Sequence, residues 1–431
     1  MRLVIPQELD NGAMVYSQYD PTSSTHLGAT CVRAGSIYDP QGNVSGKRPL
    51  RGLAHLVEHM KGRESKKYSV DDVYKIIHII LGGLSACDIS VDHVCTTFGT
   101  TMVESKGNLI KALDMFFSLL KDGILSEDGL SIEKAAINQE SALTGSSPGD
   151  LLQSSLYKAV YTSNPIRHPI DGYMNEVETA TLADVRAFVR RYYVARNMFF
   201  VALGPDKNTA LELGSRYLKF LPNGSQPILD YDHSDDFPRI GSTRSNVEVM
   251  PMPDNMRHHL LAVGFPTETY FSEDGLALDI LAEILKYRLI ILLREANRIF
   301  RNGVYHTPVD TDRSFVHGLI VAEVASRSEE YIKYCETIIL QEFARLREEL
   351  VSKEVFEGFR SAARFQPLVA FKSYPDILAH LIMAAAANGD KDMKHLNSFK
   401  ERFARVTRNS LRNVANKYFT KEYVRVLIRP A

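Results

Sequence analysis

The chain has 431 residues, 45% of them hydrophobic and 24% charged, with a formal net charge of -1. These are the proportions of a soluble globular protein, too long for one ordinary core, so two or more domains are expected. The near-zero charge gives no reason to expect a nucleic-acid or acidic-membrane partner, and no run of about 18 apolar residues is present to span a bilayer.

In chain order, Ala13–Tyr19 and His26–Gly35 read as a hairpin-like strand pair. Gly52-Leu53-Ala54 leads into a helix whose apolar stripe is Leu53, Leu56, Val57 and Met60. That helix carries His55-Leu56-Val57-Glu58-His59. Imidazoles at i and i+4 share a helix face and can grip one metal ion, with Glu58 beside them to work on a bound water. The order H-x-x-E-H is that of the inverted zinc peptidases. A strand region follows at His93–Glu104, then helices at about Asn108–Lys121 and Ser131–Leu143. The second of these helices carries Glu133 and Glu140, seven residues and about two turns apart and so on one face. Catalytic zinc usually takes three protein ligands; one of the two carboxylates can be the third while the other supports a histidine. The half closes with a helix at Leu182–Tyr193 and a strand at Met198–Leu203.

The second half repeats this order. His259–Phe265 reads as a strand, Gly275–Arg294 as a helix, Gly318–Ala325 as a strand, and Glu329–Leu350 and Lys353–Ala363 as helices. A closing helix through Tyr418 and a strand at Tyr423–Ile428 echo the end of the first half. Where the second copy of the metal motif belongs, only Glu283 stands among apolar residues. The expected organisation is a catalytic domain over 1–222, a Pro/Gly/Ser/Asp-rich linker over 223–245, and a degenerate repeat over 246–431. The fold class is α+β, each domain a mostly antiparallel sheet packed against helices. Gly42–Lys47 is too short for a phosphate loop, and His258-His259 reads as structural or exposed. Cys31, Cys87, Cys95 and Cys335 form no C-x-x-C pair, and Met1–Pro6 lacks the character of a signal peptide, so a cytoplasmic setting is expected.

With these residues in place, the chain resembles the pitrilysin/insulinase-type (M16) metallopeptidases, above all short subunits such as mitochondrial processing peptidase and its bacterial relatives. In that family H-x-x-E-H is followed by E-x6-E, whose second Glu is the ligand. The resemblance therefore implies one Zn2+ per chain held by His55, His59 and Glu140, with Glu133 in support and Glu58 as general base. His59 and Glu140 are separated by 80 residues, slightly long for the family. Leu81-Gly82-Gly83-Leu84-Ser85-Ala86 is similar to the family's L-G-G-x-x-N-A segment, with Ser85 in place of Asn. It implies substrate contacts at Ser85 and Ala86 and a peptide extended against an edge strand near Cys95–Met102. His168-Pro169, Gly172 and Tyr193-x-x-x-Asn197-Met198 match landmarks that look structural. The family's cross-cleft Arg and Tyr map to Tyr305 with Arg298, or with Arg294 if local context rather than spacing sets the register. The resemblance further implies half of a clamshell, completed as a homodimer or as a heterodimer with a related subunit. The implied activity is zinc-dependent peptide hydrolysis; a non-catalytic or partner-dependent subunit is the alternative.

Overall fold

The structure is a computed structural model. It describes residues 4–20, 26–42, 48–103, 105–144, 148–161, 164–204, 209–225, 246–249, 258–268, 272–295, 309–313, 318–370, 381–383, 385–386, 393–420 and 423–430. Two compact units result. One comprises Met1–Ser141, Pro169–Asp230 and Pro367–Ser398; the other comprises Ala142–His168, Tyr231–Gln366 and Phe399–Ala431.

The first unit is built on strands β1 (Ile5–Glu8), β2 (Met14–Tyr19), β3 (His26–Val32), β4 (Cys87–Val91), β5 (Thr96–Val103) and β6 (Met198–Gly204). They lie in the order β1-β2-β6-β3-β5-β4. Every pair is antiparallel except β2 with β6. The expected hairpin of β2 and β3 is therefore not formed. β6 inserts between them, and its unbroken apolar run Met198-Phe199-Phe200-Val201-Ala202-Leu203 is buried throughout, as a central strand covered on both faces demands. The helices of this half are α1 (Leu53–Arg63), α2 (Val70–Lys75), α3 (Lys106–Asp122), α4 (Glu127–Thr144), α5 (Pro148–Val160), α6 (Met174–Val177), α7 (Leu182–Tyr192) and α8 (Thr209–Leu218). Ser105 caps α3 by accepting the Asn108 N–H at 3.2 Å, and Leu109, Leu113, Phe116 and Leu120, at helical spacing, form its buried stripe. Thr181 and Asp184 form a capping box that starts α7.

The second unit carries β7 (Asn246–Val249), β8 (His259–Pro266), β9 (Val309–Arg313), β10 (Gly318–Ser326) and β11 (Val424–Ile428), in the order β7-β11-β8-β10-β9. Its single parallel pair is β7 with β11, the counterpart of β2 with β6, so β2-β6-β3-β5-β4 and β7-β11-β8-β10-β9 are the same arrangement built twice. Helices α9 (Gly275–Leu289), α10 (Glu329–Glu348) and α11 (Lys353–Ala370) follow, with a closing helix at Arg408–Tyr418. The period of two sorts the sheet's faces. Leu261, Val263 and Phe265 of β8 and Ile320, Ala322 and Val324 of β10 pack with α9, α10 and the closing helix. The intervening Ala262, Leu319 and Val321 pack with Leu152, Leu156, Tyr157 and Val160 of α5. A helix encoded in the first half thus covers a face of the second sheet. Conversely, segment 367–398 belongs to the first unit, where Arg33 Nη2 donates to the Ala385 carbonyl at 2.8 Å and Asn397 exchanges two hydrogen bonds with Val4.

Residues 226–245, most of the expected linker, lie outside the described residues. Among the described residues no helix is long and apolar enough to cross a membrane.

Candidate metal centre

Helix α1 is started by a carboxylate. Asp39 accepts the N–H groups of Gly52 and Ala54, both at 2.7 Å, satisfying donors that a helix N-terminus leaves open. Asp39 is buried, and burial pushes its carboxyl up to about 8 against the pull of those two donors. At the other end, the Lys61 ammonium is buried and donates to the Leu120 carbonyl at 2.9 Å, joining α1 to α3; burial pushes it down to about 8. The helix presents His55 and Glu58, both buried, and a partly exposed His59 on one face.

Helix α4 faces it. Ile137 anchors α4 in the core, and Lys134 Nζ donates to the carbonyls of Glu178 and Ala180 at 2.7 Å each, fixing its rotation. Glu140 Oε2 comes within 3.4 Å of His59 Nε2 and 3.8 Å of His55 Nε2. The three residues offer ligand atoms that all lie within 4.8 Å of one another. Two donors each about 2 Å from a tetrahedral zinc ion stand roughly 3.3 Å apart, so a two-histidine, one-carboxylate set at these separations fits that ion with little adjustment. Among the described residues this is the one such group.

Around it, Glu58 Oε2 lies 3.8 Å from His55 Nε2 and 3.9 Å from His59 Nε2. Burial raises the Glu58 carboxyl to about 7, opposed by His59 and assisted by Glu140 and Glu133. Glu133 Oε2 accepts from His59 Nδ1 at 3.1 Å, and its Oε1 accepts from Arg63 at 2.9 Å. Burial alone would push the Glu133 carboxyl up and the His59 imidazole down. Their mutual hydrogen bond, with Arg63 added on one side and three carboxylates on the other, reverses both shifts. His55 moves down, through burial and then the neighbouring His59.

Ser85 and Ala86 lead directly into β4, Ser85 exposed and Ala86 buried, with the Ala86 carbonyl accepting from Thr100 at 2.7 Å. Here one expectation is corrected. The segment Cys95–Met102 does not supply the sheet edge. β5 lies between β3 and β4, and the edge is β4, whose Ile89 side chain approaches α1 at Gly62. The strand also starts later than expected. Residues 92–95 form a turn in which Asp92 accepts the Cys95 N–H at 2.8 Å, and His93 pairs with Ser36 at 2.8 Å. Tyr305 and Arg298 lie outside the described residues, and Arg294 falls in a wide helical turn, Ile290–Glu295, that prolongs α9. His258 sits 3.4 Å from Arg327 and joins no metal-competent group. Asn197 is structural, its amide donating to the Arg33 and Tyr192 carbonyls at 2.9 Å each. The spacing rules passed over Asp39, Arg63 and Asp171, the last with Oδ1 3.4 Å from His55 Nδ1. Only Arg63, one turn beyond His59, carried a local signal.

Comparison with known proteins places the architecture. The family model described as insulinase (peptidase family M16) matches residues 14–172, and the one described as peptidase M16 inactive domain matches 179–362. The chain belongs to peptidase family M16. Zinc protease PqqE of Helicobacter pylori is 24% identical over 236 residues, 54% of this chain and 51% of that protein. The mitochondrial-processing peptidase subunit beta of Saccharomyces cerevisiae is 21% identical over 225 residues, 51% and 46% respectively. The matched stretch thus spans about half the length of these curated relatives. Among solved structures, a protease from Helicobacter pylori superposes with a TM-score of 0.81 at 18% identity, covering 100% of both chains. A peptidase M16 inactive domain from Pseudomonas fluorescens gives 0.79 at 16% identity, covering 99% of this chain and 98% of that one. At such identities these superpositions speak for the M16 fold.

Proposed function

We propose that this M16 chain is a zinc-dependent endopeptidase of the inverted H-x-x-E-H type, with His55, His59 and Glu140 as ligands and Glu58 as general base. The observation that carries it is the convergence of His55, His59 and Glu140 around a Glu58 carboxyl poised near neutrality. Zinc bound there supplies Lewis acidity toward a carbonyl oxygen and acidifies a water. Glu58 takes a proton from the water as its oxygen adds to the scissile carbonyl carbon, and returns it to the amine nitrogen as the C–N bond breaks. Glu133 orients His59. An extended peptide would add to the β4 edge that runs beside α1, entered past Ser85 and Ala86, so that backbone hydrogen bonds hold it whatever its side chains. Tyr305 with Arg298, or Arg294, is the Arg/Tyr pair proposed to orient the peptide, and the second repeat carries no metal-competent group among its described residues.

We place this activity in a dimer, with itself or with a related subunit, as the relative named a subunit suggests. Four free cysteines suit a reducing compartment, here the cytoplasm. The test is Glu58→Gln. Peptide cleavage should fall by about 10²–10⁴-fold while roughly one zinc per chain is retained. Wild-type protein that takes up no zinc, or a variant that cleaves as fast as wild type, defeats the reading. Cleavage appearing only after a related chain is added assigns the protein to a partner-dependent pair.

A further inference from the structure

Resting on that reading of the site, we propose that Asp171 is a positioning residue for His55: its carboxylate accepts the Nδ1 proton and so turns the Nε2 lone pair toward Glu140. The two histidines of α1 are framed alike. Each presents Nε2 to the Glu140 carboxylate, at 3.8 and 3.4 Å, and each has a different carboxylate at Nδ1. For His59 that partner is Glu133 at 3.1 Å; for His55 it is Asp171 Oδ1 at 3.4 Å. His55 Nδ1 is fully buried and has no hydrogen-bond partner, and a small adjustment toward Asp171 Oδ1 at 3.4 Å would satisfy an otherwise costly donor. A neutral imidazole carries one proton, and placing it on Nδ1 leaves Nε2 as the only lone pair.

Asp171 reaches this place through a rigid turn. Gly172 N–H donates to the Pro169 carbonyl at 3.0 Å, and Gly172 takes φ +70°. The turn lies against the start of α1: a Cβ on Gly52 would stand 2.4 Å from the Asp171 carbonyl oxygen. Arg51, just before the helix, is held by Glu176 through its backbone N–H at 2.9 Å and Nε at 3.0 Å. The turn and the start of the helix are therefore packed backbone against backbone. A carboxylate fixed to the frame of the ligand helix, rather than to the sheet, keeps its place relative to His55 through any shift of that helix.

The experiment uses the full chain as wild type, Asp171→Asn and Asp171→Ala. It measures the zinc dissociation constant by competition with a chromophoric chelator, and the imidazole ¹⁵N shifts of selectively labelled, metal-free protein, with His55 assigned by its loss in His55→Gln. The expected result is about 10–100-fold weaker zinc binding in both variants, the range typical of partners behind a metal ligand. The His55 tautomer should move from Nδ1–H toward Nε2–H in both, with melting temperatures near wild type. Unchanged zinc affinity and unchanged tautomer overturn the inference. Wild type that binds no zinc but whose His55 tautomer still depends on Asp171 defeats the zinc reading alone.

Discussion

Gly172→Ala tests how tightly the turn and the ligand helix are joined. An added Cβ would stand 2.0 Å from the Arg51 carbonyl oxygen, 2.2 Å from its carbon and 2.3 Å from the Gly52 nitrogen. Ordinary contact is roughly 3.5 Å, so the turn and the start of α1 must separate by about 1.5 Å. All three atoms are backbone, and no side-chain rotation relieves them. The positive φ costs an alanine about 1 kcal/mol. Separation by that distance also disturbs the Arg51–Glu176 contacts and the Asp39 cap, for a total of about 3–5 kcal/mol. At roughly 2–4 °C per kcal/mol, the melting transition of this unit should fall by about 10 °C. Gly82→Ala is the control. Its φ is +82°, but nothing lies within 4 Å of an added Cβ, so only the conformational cost of about 1 kcal/mol applies. The assay is thermal unfolding of both variants by circular dichroism, with zinc affinity measured alongside. Equal losses in the two variants would refute the close-approach argument. A large loss for Gly172→Ala with undisturbed zinc affinity would refute the coupling of the turn to the site.

Asp39→Asn replaces one of two acceptor oxygens with an amide that faces a backbone N–H, and should cost about 1–3 kcal/mol in urea titrations of metal-free protein. Its pH dependence has a defined sign. The Asp39 carboxyl is raised in the folded state to about 8, so between its unfolded value and there the folded protein holds the extra proton. That stability is lost as pH rises, so the variant's deficit should be largest near pH 5 and narrow toward pH 8; a deficit that widens would contradict a shift caused by burial. Glu133→Gln should weaken zinc binding about 10–100-fold in the chelator competition, since it strips charge from the partner of both His59 and Arg63; an unchanged constant removes Glu133 from the site. Leu156→Ala empties a fully packed position on α5 and should destabilise the second unit by about 2–5 kcal/mol; hydrogen exchange should show the loss in β8 and β11, and protection lost only around the first sheet would contradict the exchange of helices.

The site was more legible in the sequence than the sheet order. H-x-x-E-H and E-x6-E are regular because helices are: side chains that share a face recur at one and two turns, and the face can be counted off. The β2–β3 hairpin failed because alternation says that a segment is a strand and nothing about its neighbour. Proximity in the chain favours pairing, but β6 brings an apolar run that can be buried only at the centre of the sheet, and it displaces that pairing. The edge strand went astray for a related reason. Cys87–Val91 is short, with Asp88 and Ser90 breaking its apolar character, as open edges commonly are, while Thr96–Val103 has the stronger strand pattern because it is interior.

What local pattern could not show is that the metal centre depends on segments far apart in the chain. Helix α1 supplies two of the three residues that could hold a metal and the Glu58 beside them, α4 the third, the Pro169–Gly172 turn a carboxylate behind His55, and Asp39 the cap that fixes where the helix begins. Asp39, Lys61 and Ile137 are buried in the fold of the unit, so their positions are set when its core is packed. Two imidazoles turn Nε2 toward Glu140, and burial, assisted by Glu140 and Glu133, pushes the Glu58 carboxyl up to about 7. In the second unit the same sheet is built with α9, whose inward positions are Leu278, Leu281 and Leu285 and which brings no metal-competent group together among the described residues. One architecture therefore carries a cluster of metal-competent side chains in one copy and an apolar helix face in the other.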